Sequence, residues 1–174
     1  MPNLSIANLI RTHLNQNRAP SGYLLVHRTV KQISDAIHET GFNTQSHRYT
    51  SISSTATVHR ALDAEFLKSL YSRHKFSTHH VVIYVPDKAV EKLREHIERQ
   101  GLSQKIPRAH DLDVLSVATG GVMPSEWVVG TFDRENETFS PNSHFRPTKD
   151  VMLPKIEDAL YKYTLPPALP RRRI

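Results

Sequence analysis

Asp111 and Asp113 stand two residues apart at the head of "DLDVLSVATGGVMPSEWVVG" (Asp111–Gly130), just before an apolar run and a Gly-Gly pair. Read as a strand, that spacing puts both carboxylates on one face. They could cap a loop, or they could be the acid pair of an active site. Three other polar positions sit at the ends or on the faces of apolar segments. Arg28 closes "LLVHR", a stretch otherwise too apolar to need a guanidinium, and Ser51 and Ser53 alternate in "TSIS". Taken alone, each has a structural explanation: a strand-end arginine pairs with a carboxylate, strand serines satisfy neighbours, and aspartates cap turns. Together they supply a cation, hydroxyls and carboxylates, the groups that recognise and polarise a polar substrate.

The elements that must position them read as follows. Ile6, Ile10 and Leu14 are spaced by four, which predicts a first helix ended by "PSG" (Pro20–Gly22). "YLLVHRT" (Tyr23–Thr29) predicts a buried strand. Val30, Ile33 and Ile37 share a helical face, with Gly41 as its C-terminal cap. "RYTSIS" (Arg48–Ser53) predicts a strand, and Val58, Leu62, Phe66 and Leu70 a helix from Thr55 to about Arg73. "HHVVIYV" (His79–Val85) is the clearest strand. The clearest helix follows, capped by Asp87, with Val90, Leu93 and Ile97 on its face and Gly101 at its close. The acidic stretch predicts a strand, a Gly-Gly turn and a second strand at "WVVGTF". Regularity fades after Phe132 except for a helical "KIEDALYKY". Helices interleaved with short strands predict a single α+β domain over 1–165 and a Pro- and Arg-rich tail over 166–174.

Composition narrows the classes. With 174 residues, 38% hydrophobic and 23% charged, the chain suits one globular domain. It has no cysteine, which excludes disulfides, thiolate metal sites and a cysteine nucleophile. No apolar run reaches the ~20 residues of a membrane span, and the N-terminus predicts no Sec-type signal. A net charge of +6 favours acidic partners, although the terminal "PRRRI" contributes three arginines. Neither common phosphate loop occurs. There is no H-E-x-x-H and no G-x-S-x-G, and His74, His79 and His80 lack the spacing of zinc ligands.

The order "LLVHRT", then "YTSISSTATVHRAL", then an acidic pair ahead of "GGVMPSEWVVG" resembles the mono-ADP-ribosyltransferases of the cholera toxin, heat-labile enterotoxin and pierisin type. Arg28 matches the arginine strand, with His27 where that family has an aromatic residue. "TSIS", Ala61 and "HHVVIYV" resemble its central block. Gly120, Gly121, Val122, Pro124 and Gly130 match its last motif, and "PNSHF" its terminal Asn-x-x-aromatic. The resemblance spans about Tyr23 to Phe145. It implies a split, mostly antiparallel sheet flanked by helices, with NAD as substrate. The nicotinamide–ribose bond would break through an oxocarbenium-like transition state that a carboxylate stabilises.

Carried over, Arg28, with the adjacent His27 and Thr29, holds NAD. Ser51 or Ser53 orients the acid; Ser51 also touches NAD. Asp113 is the catalytic acid, and Asp111 takes the target-selecting place. The implied acceptor is a macromolecule, a protein arginine or a nucleic acid. The implied setting is an effector or toxin domain, cytoplasmic or delivered to a host cell. Two departures stand out. The family's acid is glutamate, and counting back from Gly120 lands on Leu115. Glu126, past the turn, reads as a surface residue. An NAD glycohydrolase, or a degenerate relative that only binds, remains open beside the transferase.

Overall fold

The computed structural model describes residues 4–43, 51–53, 64–73, 76–150 and 152–165. In chain order these form α1 (Leu4–Gln16), β1 (Gly22–Thr29), α2 (Lys31–Thr40), β2 (Phe42–Asn43), β3 (Ser51–Ser53), α3 (Ala64–Tyr71), β4 (His79–Pro86), α4 (Asp87–Arg99), α5 (Asp111–Ala118), β5 (Val122–Met123), β6 (Val128–Asp133), β7 (Thr138–Pro141) and α6 (Ile156–Thr164). Five strands make one antiparallel sheet in the order β3-β1-β4-β6-β7, and β2 and β5 pair apart from it. The α+β expectation is met.

Strand alternation divides the core in two. Leu25 of β1, Val81, Ile83 and Val85 of β4 and Val128 of β6 point to one side. There they pack under Ile37 of α2, Phe42, Leu93 and Ile97 of α4, Leu115 of α5 and Leu160 of α6. Leu24, Val26, Val82, Tyr84, Val129 and Phe132 point to the other, where Ile6, Ile10 and Leu14 of α1 and Phe66 and Leu70 of α3 cover them. Because both faces of β4 are covered, its strand reads as an unbroken apolar run, buried from His80 to Pro86.

Several sequence expectations require correction. "DLDVLSVA" is the helix α5, not a strand. A short apolar run fits either period; here Asp111, Leu115 and Ala118 share the buried helical stripe. Two acids in the first turn also suit the positive end of the helix dipole. Asp87 makes no side-chain cap; Pro86 holds the cap position and Asp87 is the first helical residue. "WVVGTF" begins as a tight helical turn at Trp127 and becomes strand at Val128. Regular structure also continues past Phe132, since β7 pairs with β6. Arg48–Thr50, Val58, Ala61, Leu62, His74 and the tail over 166–174 lie outside the described residues.

Candidate functional site

The β1 register settles which polar groups share a face. His27 stands opposite Val81, and Val81 opposite Thr131; the next row is Thr29, His79 and Asp133. All of these lie on the α2 side of the sheet. His27 is buried and its ring packs on Phe42 with centroids 4.7 Å apart. From α2, the Ser34 hydroxyl and the His38 Nε2 both reach the Thr131 hydroxyl at 2.6 Å. His79 Nε2 lies 3.7 Å from the Asp133 carboxylate and its Nδ1 2.7 Å from the Thr78 hydroxyl. Asp133 is also a turn former, accepting from the backbone N–H groups of Glu135 and Asn136. The result is a row of imidazoles and hydroxyls across three strands, roofed by α2 and β2. Ser34, His38 and Thr131 escape a strand-end search because each sits inside a helix or strand and meets the others only across the fold; Asp133 ends β6 but faces His79 only through the sheet register.

Arg28 points to the opposite side. It pairs with His80, and the Ser72 hydroxyl accepts from its Nε and Nη2 at 3.1 and 2.7 Å. Burial lowers the pKa of its guanidinium. His80, fully buried, donates through Nδ1 to the Leu70 carbonyl. Arg28 thus ties the end of β1 to the end of α3. Ser51 and Ser53 pair with Val26 and Leu24, so β3 is in register beside the motif strand.

The two aspartates part company on α5. Residues two apart on a helix are separated by about 200°, not aligned as on a strand. Asp111 is buried in an ion pair with Arg94, whose Nη1 also donates to the Ile106 carbonyl at 3.0 Å. Asp113 is exposed, 3.8 Å from the His110 ring. Asp111 lines a groove with Tyr23, Asp87, Glu91, Arg94 and Arg108, on the α4 face of the sheet. Arg28 lies on the other face, five residues or about 17 Å along the strand from Tyr23. Asp111 is therefore not in one cleft with Arg28. Leu115, the alternative register position, is wholly buried in the core. Glu126 is half-buried and bonded by Lys149 at 2.6 Å, which holds its carboxyl below the usual range.

Protonation couples this region to stability. Burial keeps His38 below its ordinary value of 6.5; nearby Asp35 opposes the shift and His144 adds to it. Burial lowers His13 likewise, against opposing backbone hydrogen bonds from Asn142 and Val129. A depressed histidine takes up its proton more readily unfolded than folded. Stability is then fully present above pH 6.5 and is lost as pH falls through the folded value. Urea midpoints measured between pH 7.5 and 5 should fall, and His38→Gln should flatten that slope. An unchanged slope would show that His38 is not the titrating group.

Among the described residues no group of three His, Asp or Glu side chains could hold a metal ion, and no helix is long and apolar enough to cross a membrane. The fold is an α+β arrangement in which a row of imidazoles and hydroxyls lies beside the separate β2–β5 pair. Comparison with protein-family models, with curated proteins and with solved structures finds no match.

Proposed function

We propose that the chain is an NAD-using mono-ADP-ribosyltransferase whose substrate site is the α2 side of the β1 end. One observation carries the reading. His27 of the first motif packs on Phe42, and Phe42 pairs with Met123 inside Gly120-Gly121-Val122-Met123-Pro124. Motifs about ninety residues apart in sequence thereby meet through β2. The groups there fit the hydroxyls of a ribose and a carboxamide: imidazole nitrogens and hydroxyls that both donate and accept. Arg28 does not fit as a direct diphosphate contact on that side. It acts by positioning β1 through Ser72. NAD supplies the scissile bond, and this chain's residues bind and orient it; transfer goes to a protein arginine or a nucleic acid.

Purified chain should release nicotinamide from NAD and pass label from the ADP-ribose part to a macromolecule in lysate, to nucleic acid or to free arginine. His27→Ala should weaken NAD binding and lower that release about tenfold, the scale of losing one hydrogen bond to the substrate. Free ADP-ribose without labelled macromolecule would select the glycohydrolase. The enzymatic reading fails if no acceptor supports any NAD cleavage.

A specific observation favours a second reading, a relative that binds without turnover. The α5 carboxylates are spent on Arg94 or exposed to solvent, and Leu115 is core. Asp113→Ala separates the two. Activity falling by orders of magnitude supports catalysis by that acid, while NAD binding that survives the change without cleavage supports the binding module.

A further inference from the structure

Where β4 begins, a hydroxyl, an imidazole and a carboxylate stand in line. The Thr78 Oγ1 lies 2.7 Å from His79 Nδ1, and His79 Nε2 faces the Asp133 carboxylate at 3.7 Å. Asp133 is itself held: the Asn136 amide donates to its Oδ2 at 2.8 Å, and the backbone N–H groups of Glu135 and Asn136 donate to its Oδ1. Burial works against its ionisation, but these hydrogen bonds and the neighbouring imidazole outweigh burial and keep its carboxyl below the usual range. An anion beside Nε2 favours the tautomer that carries the ring proton there. Nδ1 is then left as an acceptor, and the Thr78 hydroxyl donates to it. A hydroxyl within reach of a base that a third group orients is the arrangement that activates a nucleophile. The wider gap to Asp133 is of the kind that tightens when substrate binds. Thr78 is half-buried, and His79 and Asp133 keep 15% and 20% of their side chains exposed, so a reagent can reach all three. The other hydroxyl–imidazole pair, Thr131 with His38, differs: Thr131 is buried and shared with Ser34. The backbone fixes Thr78 on both sides, its N–H donating to the Thr29 carbonyl and its own carbonyl accepting from Arg134, each at 3.0 Å.

We propose that Thr78 is a nucleophilic hydroxyl that takes an acyl group from an activated carboxylic ester, with His79 as its base and Asp133 orienting the imidazole. The Thr78 oxygen attacks the ester carbonyl carbon while its proton passes to His79 Nδ1. The bond to the leaving alcohol breaks, the alcohol departs with that proton, and a threonyl ester remains. Val30, which follows the partner of His79 on β1, and Phe76, two residues before Thr78, are exposed apolar side chains at this end of the strands. They favour an apolar acyl group over a charged one. The step involves no NAD, so it does not depend on the NAD reading.

Full-length protein is mixed with para-nitrophenyl butyrate, and nitrophenol release and protein mass are followed. The expected result is a burst of about one equivalent, the sign of an accumulating acyl intermediate, with the butyryl group located on Thr78 by peptide mapping. Thr78→Val should abolish the burst, and Thr78→Ser, which keeps the hydroxyl, should retain it. His79→Gln should slow it about 10²-fold or more, the scale of a lost general base. In Asp133→Asn the burst should slow, and nitrogen NMR should show the His79 ring proton moving from Nε2 towards Nδ1. A carboxylate that only shapes the turn would leave that proton where it is. Butyryl groups found only on lysines or on other histidines, an unchanged rate in His79→Gln, or an Nδ1-protonated His79 in the unaltered protein would each overturn the proposal. Should Thr78→Val fail to fold, peptide mapping of the unaltered protein and the His79→Gln rate still decide.

Discussion

Replacing Arg94 by Ala should cost about 3–5 kcal/mol of folding stability, the scale for leaving one member of a buried ion pair alone. Both side chains of the Arg94–Asp111 pair are about nine-tenths buried, at 9% and 12% exposed. Without Arg94, the Asp111 carboxylate keeps its buried place at the start of α5 and loses its counter-charge. The Ile106 carbonyl loses its donor at the same time. Asp111→Ala should cost less, since the guanidinium retains that carbonyl and a long stem on which to reach water. The double variant Arg94→Met/Asp111→Leu should recover most of the loss, because apolar replacements of a buried pair are often near neutral. Urea unfolding followed by the lone tryptophan gives all three values in one series. A loss below 1 kcal/mol for Arg94→Ala would mean that the pair is open to solvent and Asp111 is free for chemistry after all. With whole-domain stabilities near 5–15 kcal/mol, the expected loss is large enough to read without ambiguity.

The second large effect belongs to Gly41, which joins α2 to β2. Its backbone, at φ 91 and ψ 177, lies in a region open almost only to glycine. A side-chain carbon there would also run into the carbonyl oxygen of Met123 and crowd Ser125 and Pro124. None of these is a flexible side-chain tip; all three are backbone atoms. Gly41→Ala should therefore cost about 3 kcal/mol or more, combining backbone strain with overpacking. It should also prise β2 from β5, separating Phe42 from the Gly-Gly-Val-Met-Pro turn and disturbing His27. The stability loss is read by thermal unfolding. Its link to the site is read by NAD binding at a temperature where the variant is still folded. Full stability in Gly41→Ala would refute the tight approach of these two segments.

What could be read in advance, and what could not, follows from how each signal is encoded. The spacing of Ile6, Ile10 and Leu14 and of Val90, Leu93 and Ile97 marks helices locally, and these residues are buried as their periods require. The run from His79 to Pro86 could be recognised as a covered strand because both of its faces are apolar. Asp111–Ala118 was ambiguous. Eight residues with apolar positions on every side satisfy a strand about as well as a helix, and tertiary packing against α4 and α6 decides the outcome. The paired strands β2 and β5 are two residues each, too short to carry any period; only their pairing defines them. The polar row was hidden for a different reason. Ser34 and His38 belong to α2 and Thr131 to β6, about a hundred residues on, so no window of sequence contains them together. Arg28 was singled out correctly as unusual, but the face to which it points depends on register, and register placed Ser72 before it.

Helix α1 takes part of its packing from strands that lie far along the chain. α1 seals the second core by resting on β6 and β7, with the His13 ring tilted against Phe145 at 5.2 Å between centroids and edge-on to Phe139 at 6.4 Å. Roughly 130 residues of chain separate these contacts. A nascent chain can meet the apolar stripe of Ile6, Ile10 and Leu14 early with Leu24, Val26, Phe66 and Leu70 of the same cluster, but its contacts with β6 and β7 wait for the later strands. At about 5–20 residues per second, that interval lasts several seconds to tens of seconds. Non-local closure of this kind slows folding and leaves part of this core open to chaperones or to other copies in the meantime. The arrangement makes completion of the C-terminal third the event that commits the N-terminal helix to its place.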